Sequence, residues 1–270
     1  MRRLISTLTA VAVSVAACFA GDFEIKGSVG TLRGNITLPD GAEIPCPTVV
    51  ICHGLTGHQN EAQLLSIRDS LLNEGYAVVK FDFNGHGISD GVFSGMTLDN
   101  ELEDLSCIYD YVVSLPEVDA KRIAVCGHSQ GGLEAGVFAG DSGVEKVKCV
   151  VLLAPAACIH SMAVNGDLFG YDISKNMPDS IAFWSGTHLG RPYAESARAM
   201  DVLARTSAYD GPVLILQGEY DSPELMRDAK RYCDYLPNAS YVRLPGLSHC
   251  FPEDLALPAK LSTAFIKENL

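Results

Sequence analysis

The segment Gly127-His128-Ser129-Gln130-Gly131 places a serine hydroxyl between two glycines. An apolar run over 123–126 precedes it and a stretch of small residues follows it, which predicts a strand, a tight turn and a helix. Such a turn needs small residues two positions before and after the serine, because bulkier side chains would collide. The turn exposes the hydroxyl, and the following helix directs backbone N–H groups toward a developing oxyanion. The pattern predicts a nucleophilic serine; the alternative is a serine that caps a helix between two turn glycines.

A serine hydroxyl needs a base to become nucleophilic, and the base needs an acid to orient it. On a parallel sheet with this turn, the partners should follow later strands in the chain order serine, acid, histidine. Asp221 follows a predicted strand over 212–218, and His249 follows the last predicted strand, over 240–246. Glu219 competes with Asp221 for the role of the acid. The ordered set predicts acyl transfer carried by Ser129, Asp221 and His249.

A second oxyanion donor is expected from the loop after the first buried strand, where the sequence reads His53-Gly54. We assign the two donors to the backbone N–H groups of Leu55 and Gln130. His53 itself is interpreted as a structural hydrogen-bonding residue. His58 and His86 are predicted to be solvated loop residues.

Apolar runs of strand length alternate with helical stretches along most of the chain. Strands are predicted over 48–54, 76–83, 122–127, 147–155, 212–218 and 240–246, and helices over 61–75, 98–115, from about 131, over 223–236 and over 255–270. Residues 23–39 alternate between apolar and polar and are broken by glycines, which predicts an antiparallel lead-in. Near-continuous apolar strands between amphipathic helices indicate a mostly parallel α/β sheet with helices on both faces.

Residues 157–208 lie between two predicted sheet strands and are too many for an ordinary connection. They contain an unusual share of large apolar and aromatic side chains, namely Met162, Phe169, Tyr171, Phe183, Trp184 and Tyr193. We interpret this segment as a cap inserted over the carboxyl edge of the sheet; the alternative is a wandering loop with one packing helix. Residues 21–270 are then one domain with a cap, and the acyl group of a substrate is expected to rest against the cap's aromatic residues.

The first twenty residues form a segment distinct from the rest, with Arg2 and Arg3 followed by apolar and then small residues. They contain no acidic residue, which is typical of a secretory signal peptide, and they are short for a membrane span. One interpretation has cleavage before Gly21; the other has a lipoprotein signal that ends before Cys18, which would carry the lipid. Both predict export, to the periplasm, the medium or a lipid-anchored place at the cell surface, with membrane contact only through Cys18.

The composition bounds the partners. The chain has 270 residues and a formal net charge of −13, without a cluster of Lys and Arg, so nucleic-acid binding is not expected. No Cys/His spacing indicates a metal site, and neither a metal nor an organic cofactor is predicted. Cys52, Cys126 and Cys149 lie in apolar runs, where a thiol acts as a small hydrophobic group, and disulfide pairing stays open.

Five stretches share a pattern with one known family: HGLTGH (53–58), KFDFNGHGISDG (80–91), GHSQGG (127–132), VLLAPAA (151–157) and LSHCF (247–251). Together they resemble the cinnamoyl/feruloyl esterases of gut and rumen bacteria over nearly the whole chain after the leader. The resemblance implies the α/β-hydrolase fold, with a mostly parallel central sheet, helices on both faces and an inserted cap. It also implies a triad of Ser129, Asp221 and His249, with Leu55 and Gln130 as oxyanion donors.

The cap departs from that family's pattern. In such esterases the insertion offers polar side chains to the phenolic hydroxyl of the substrate. Here the acidic position falls on Met162 and the amide position on Phe169, while Tyr193 matches a tyrosine that contacts the ring. We take Met162, Phe169, Trp184 and Tyr193 as the candidate substrate-binding residues, in a pocket more apolar than the family's.

The function implied is a serine carboxylic-ester hydrolase that acts on small-molecule esters. The acyl group would be aromatic, of the hydroxycinnamoyl type as in plant-cell-wall or dietary phenolic esters, or another small acyl group. Two alternatives stay open: a lipase or serine peptidase on the same fold, and an exported binding protein that lacks turnover.

Overall fold

A computed structural model describes residues 21–175, 177–183 and 186–270. The expected leader over 1–20 and Trp184 lie outside the described residues. Within the described ranges, no helix has both the length and the apolar character needed to cross a membrane.

Strands and helices alternate along the described chain. The strands are β1 (Gly21–Lys26), β2 (Thr31–Thr37), β3 (Cys46–Cys52), β4 (Ala77–Asp82), β5 (Val118–His128), β6 (Cys149–Leu153), β7 (Asp167–Leu168), β8 (Tyr171–Asp172), β9 (Ser180–Ala182), β10 (His188–Gly190), β11 (Val213–Gly218) and β12 (Ala239–Leu244). The helices are α1 (Ala62–Asn73), α2 (Leu98–Val113), α3 (Gln130–Ser142), α4 (Cys158–Val164), α5 (Arg191–Ala199), α6 (Val202–Thr206), α7 (Pro223–Tyr235) and α8 (Ala256–Asn269), with a 3₁₀ turn over Phe93–Gly95.

One eight-stranded sheet forms the centre of the molecule, in the order β1-β2-β4-β3-β5-β6-β11-β12. The six strands β4, β3, β5, β6, β11 and β12 run parallel to one another, whereas β1 pairs antiparallel with β2 and β2 antiparallel with β4. The predicted parallel sheet with an antiparallel lead-in is confirmed, and the architecture is the α/β-hydrolase fold.

Both faces of the central strands β3, β6 and β11 are buried, which explains why these strands are mostly apolar. On one face Val49 and Ile51 pack with residues of α1 and α8 such as Leu64 and Ile266. On the other face Val50 packs in the cluster that includes side chains of α2 and α3. Burying each such aliphatic side chain contributes about 1.5–3 kcal/mol.

The helix that follows β4 begins where its sequence dictates. The Thr97 hydroxyl accepts a hydrogen bond from the Asn100 N–H at 3.1 Å, and the Asn100 side chain accepts one from the Thr97 N–H at 2.8 Å. This reciprocal cap fixes the first turn of α2. The helix ends at Val113, before Pro116, in agreement with the prediction over 98–115.

The described residues of the segment 157–208, which we call the cap segment, hold α4 to α6 and four short strands between β6 and β11. Within it α4 packs against α5, and the strand pairs β7-β8 and β9-β10 form two hairpin-like ladders. It contacts the rest of the molecule through α5 on α2, α6 on α3, and α4 on α7. These contacts hold α4 beside the carboxyl ends of the central strands.

Candidate active site

Ser129 occupies a sharp turn between β5 and α3, with φ 56° and ψ −117°. A Cβ atom on Gly127 would lie 2.0 Å from the Gly131 carbonyl oxygen. A Cβ atom on Gly131 would lie 2.3 Å from the His53 carbonyl oxygen. Only glycine fits at either position, so the predicted strand, turn and helix around Ser129 are confirmed, together with the reason for both glycines.

The positive φ of Ser129 is held by hydrogen bonds at both of its backbone groups. Its N–H donates to the Leu153 carbonyl at 2.8 Å, and its carbonyl accepts from the Ala156 N–H at 2.9 Å. Both partners belong to the end of β6 and the residues after it. A strained residue persists only where its surroundings determine it this fully.

Three side chains from distant parts of the chain meet at this turn. The His249 Nε2 atom lies 2.9 Å from the Ser129 hydroxyl, and its Nδ1 atom lies 2.7 Å from the Asp221 carboxylate. The carboxylate only accepts hydrogen bonds, so Nδ1 carries the proton and Nε2 is free to accept from the serine hydroxyl. This is the arrangement in which a histidine serves as general base to a serine.

Asp221 is buried and accepts further hydrogen bonds besides the one from His249. The Gln217 side chain donates to it at 2.6 Å and the Ser222 N–H at 2.8 Å. Glu219, the competitor for the acid role, turns away: it accepts from the Gly246 N–H at 2.9 Å and pairs with Arg243 at 3.1 Å. The structure therefore brings Asp221, and not Glu219, to the histidine.

Two other histidines act on the backbone around the site. The His128 Nε2–H donates to the His249 carbonyl at 3.0 Å, and burial lowers the pKa of His128 to about 3. The His53 Nδ1–H donates to the Gly54 carbonyl at 2.8 Å, while its Nε2 accepts from the Phe83 N–H at 3.0 Å. Burial lowers the pKa of His53 to about 3 as well, so both rings are neutral hydrogen-bonding groups. The structural role predicted for His53 is confirmed.

The two expected oxyanion donors border the same cleft as Ser129. Gln130 is the first residue of α3, so its N–H has no earlier helical carbonyl to bind. Leu55 directly follows Gly54. A Cβ atom built on Gly54 would lie only 3.0 Å from the Ser129 Cβ atom, so this part of the loop lies close to the serine. The loop after β3 and the start of α3 therefore lie on either side of the serine.

The cleft in front of Ser129 has a volume of about 400 Å³, which suits a small molecule. One wall comes from the cap segment and is apolar; we call Ile159, Met162 and Phe169 the cap wall. Glu61 and Glu224 also line the cleft. Of the candidate substrate residues, Met162 and Phe169 line it as expected.

Tyr193 does not line this cleft. Its side chain is fully buried behind Phe169, against which its ring stacks with centroids 6.4 Å apart. Its hydroxyl donates to the Gln130 side chain at 2.7 Å. The expectation that Tyr193 contacts a substrate ring is therefore corrected, because its polar atom is already engaged with the residue after the serine.

A family model, Hydrolase_4, described as serine aminopeptidase S33, matches residues 43–179, about half of the chain. The chain belongs to this family of α/β-hydrolases. A solved structure of Est1E from Butyrivibrio proteoclasticus with ferulic acid bound is 31% identical to this hydrolase, with a TM-score of 0.84, over 88% of this chain and 95% of that one. The resemblance to the bacterial cinnamoyl/feruloyl esterases is confirmed by this match.

Curated relatives extend the comparison. The bifunctional esterase/perhydrolase DCH of Acinetobacter calcoaceticus is 28% identical over 268 residues, which covers 81% of this hydrolase and 94% of the relative. An uncharacterized 31.7 kDa protein of Escherichia coli is 30% identical over 114 residues, and the chain spans 38% of that relative's length. Taken with the family model and the Est1E match, the DCH match supports a serine hydrolase or esterase.

We call the turn over residues 127–131 the elbow; several buried polar residues of the hydrolase beneath it were not predicted from the sequence. Glu101 of α2 accepts a hydrogen bond from the Gln130 side chain at 2.5 Å, and Glu134 of α3 is fully buried. His86 was expected to be solvated, and this is wrong: it is 5% exposed, because its Nδ1–H donates inward to the Asn84 carbonyl at 3.0 Å. The burial of Glu101 could have been inferred from the sequence, because this residue falls on the apolar stripe of α2.

Proposed function

We propose that this hydrolase is a serine esterase in which Ser129, His249 and Asp221 form the catalytic triad. The observation that carries the proposal is the pair of distances at His249, 2.9 Å to the serine oxygen and 2.7 Å to the carboxylate. A nucleophile, a base and an orienting acid at hydrogen-bond distance form the constellation that acyl transfer needs.

In this mechanism the Ser129 oxygen attacks the ester carbonyl while His249 Nε2 takes the hydroxyl proton. The imidazolium is stabilised by the Asp221 carboxylate and then gives the proton to the leaving alcohol, which departs as the acyl-enzyme forms. Water attacks the acyl-enzyme, His249 takes a proton from it, and the acid is released as that proton returns to the serine oxygen.

The negative charge that develops on the carbonyl oxygen needs donors already in place. We assign them to the backbone N–H groups of Leu55 and Gln130, on the two sides of Ser129. The assignment is supported by Gln130 beginning α3, a helix of thirteen residues whose N-terminus favours negative charge. Loss of one such donor typically reduces kcat by about 10²–10³-fold.

For the substrate we propose esters with an aromatic acyl group of the hydroxycinnamoyl type or another small acyl group. The cleft volume of about 400 Å³ and the apolar cap wall support this choice. The ferulic acid bound to Est1E supports it as well. Met162 and Phe169 offer no strong hydrogen-bonding group, so a phenolic hydroxyl should add little to the rate constant for its ester.

The test is a panel of esters scored by kcat/KM: methyl ferulate, methyl p-coumarate, methyl cinnamate, p-nitrophenyl butyrate and acetylated sugars. The proposal predicts hydrolysis of aromatic and short acyl esters and its loss in Ser129→Ala. Activity that persists in Ser129→Ala would refute the triad. Hydrolysis of acetylated sugars alone would refute the aromatic acyl class while leaving the triad intact.

A peptidase is the second candidate, because Glu61 and Glu224 line the cleft and the description of the matching family model is serine aminopeptidase. A carboxylate near the reacting carbonyl suits the ammonium group of a peptide N-terminus. Aminoacyl p-nitroanilides distinguish the two. Cleavage of these amides faster than of the matched esters would favour the peptidase.

We also propose that residues 1–20 direct export. The segment lies outside the described residues, and the proposal is supported by its charge and apolar pattern alone. The intact mass of the mature protein tests it: a chain that starts at Gly21 supports a simple signal, a lipid-modified Cys18 supports the lipoprotein signal, and a chain that retains Met1 refutes export by this segment.

A further inference from the structure

The side chain of Gln130 is held from two directions beneath the elbow. Its amide nitrogen donates to the Glu101 carboxyl of α2 at 2.5 Å, and its amide oxygen accepts from the Tyr193 hydroxyl of the cap segment at 2.7 Å. All three side chains are almost fully buried. One residue next to Ser129 therefore connects the elbow with both α2 and the cap segment.

We propose that Glu101 and Tyr193 are positioning residues that hold Gln130 so that its N–H points at the substrate's carbonyl oxygen. The inference rests on the proposed function, which gives that N–H its role in the oxyanion hole. Neither residue touches the substrate in this account. Both act through the amide of Gln130.

The side chain of Gln130 and its backbone nitrogen are both bonded to the same Cα atom, so holding the side chain also restricts the direction of the N–H. With both amide ends bonded, rotation about that residue costs two buried hydrogen bonds, each of which leaves unsatisfied groups behind. Because oxyanion stabilisation depends on donors fixed before the reaction, a small loss of alignment lowers kcat more than it changes KM.

The protonation state of Glu101 is part of this arrangement. The titratable groups that face it are His86, whose Nδ1 lies 3.6 Å away, together with Cys52, Asp104, Glu134 and Tyr193. Burial raises the pKa of Glu101 to about 8 and lowers the pKa of His86, so both are neutral at neutral pH. A neutral carboxyl holds the amide without placing negative charge beneath the oxyanion; above that pKa the charge appears and opposes catalysis.

The experiment compares Tyr193→Phe, Glu101→Leu and Glu101→Gln with a matched control, Ser196→Ala. The control breaks a different hydrogen bond between α5 and α2, Ser196 to Asp99 at 2.6 Å, without touching Gln130. Each variant is measured for kcat and KM on one p-nitrophenyl ester from pH 6 to pH 10, and for its melting temperature.

We expect Tyr193→Phe to lower kcat about tenfold and Glu101→Leu by about tenfold to a hundredfold, with KM within about threefold. Glu101→Gln keeps the acceptor and should retain kcat at pH 7 within about threefold. It should also lose the decline of kcat that the wild type shows above about pH 8. Ser196→Ala should lower the melting temperature and leave kcat unchanged.

The inference is overturned if Tyr193→Phe keeps the wild-type kcat, or if Glu101→Gln keeps the wild-type alkaline decline. It is also overturned if Ser196→Ala lowers kcat as much as Tyr193→Phe does, since the effect would then be one of stability. Labelling of Ser129 by a fluorophosphonate separates this result from a failure of the triad: unlabelled, inactive wild-type protein refutes the proposed function, whereas labelled and fully active variants refute only the positioning role.

Discussion

The elbow around Ser129 and the cap wall face the same cleft, yet they are held by different forces. At the elbow, hydrogen bonds fix the serine backbone, the His249 carbonyl and both oxygens of Asp221. The cap wall consists of apolar side chains that contact one another and their neighbours, with Phe169 edge-on to Phe183 at 5.1 Å. Directional bonds fix atoms to within tenths of an ångström, whereas apolar packing fixes mainly volume.

Because they are held differently, the two regions have different roles. The elbow supplies chemistry that tolerates almost no displacement, because proton transfer and oxyanion stabilisation depend on short, aligned contacts. The cap wall supplies a shape, which selects an acyl group by size and weakly by polarity. Substitutions at the elbow should therefore produce large losses of rate, and substitutions at the cap wall modest changes in preference.

The largest effect is expected from Ser129→Ala. Removing the nucleophile should lower kcat for p-nitrophenyl esters by about 10⁶-fold, because the remaining partners cannot form an acyl-enzyme. The measurement is steady-state kinetics, with circular dichroism as the control for folding. A folded variant with more than a hundredth of the wild-type kcat would contradict the assignment.

The acid of the triad gives the next largest effect. Asp221→Asn should lower kcat by about 10⁴-fold, since an asparagine favours the wrong tautomer of His249. Glu219→Gln is the matched control: it alters the rival carboxylate, which pairs with Arg243 at 3.1 Å, and should leave kcat within about threefold. The opposite order of effects would show that Glu219 is the acid.

The elbow could be predicted from the sequence, because a turn this tight restricts which residue types fit at each of its positions. Glycine is required at positions 127 and 131 because a Cβ atom at either position would clash with a nearby carbonyl oxygen. Asp221 and His249 could be located because each comes shortly after the end of a strand, β11 and β12. The choice between Asp221 and Glu219 was open from the sequence. It is decided by the packing of two loops, where the Gly246 N–H binds Glu219.

The network beneath the elbow could not be predicted, since its partners are far apart in the chain. Glu101, Gln130 and Tyr193 come from α2, α3 and α5, and a single sequence gives no pairing between them. Polar residues such as His86 are expected in water by default, and only tertiary partners reveal that they are buried. Tyr193 was expected in the cleft because of the family resemblance, and only its burial and its hydrogen bond to Gln130 show otherwise.

A smaller effect is expected on stability from Gly131→Ala. The new methyl group would lie 2.3 Å from the His53 carbonyl oxygen and 2.6 Å from that of Cys52. Relieving this clash should lower the free energy of unfolding by about 3 kcal/mol. Urea denaturation measures it, with Gly95→Ala as the control, where a Cβ would meet only the Val92 side chain at 3.3 Å. Equal losses in both variants would contradict the account of the elbow.

The smallest effect is expected at the cap wall. Wild-type kcat/KM for methyl ferulate and methyl cinnamate should agree within about threefold, because Met162 and Phe169 do not reward a phenolic hydroxyl. Phe169→Gln should raise the ratio of ferulate to cinnamate by about threefold to tenfold, whereas Phe169→Leu should leave it unchanged. A wild type that already prefers ferulate a hundredfold would place a polar contact elsewhere in the cleft.

The most direct test of the account is to find which residue of the protein reacts as the nucleophile. A fluorophosphonate should add one phosphonyl group per chain, with loss of fluoride. Peptide mass spectrometry should find this group on the peptide that contains Ser129. The rate of labelling should fall by at least about a thousandfold in His249→Ala, because the base is gone. Labelling at another residue, or labelling of Ser129 at the same rate without the histidine, would contradict the claim that these side chains act together.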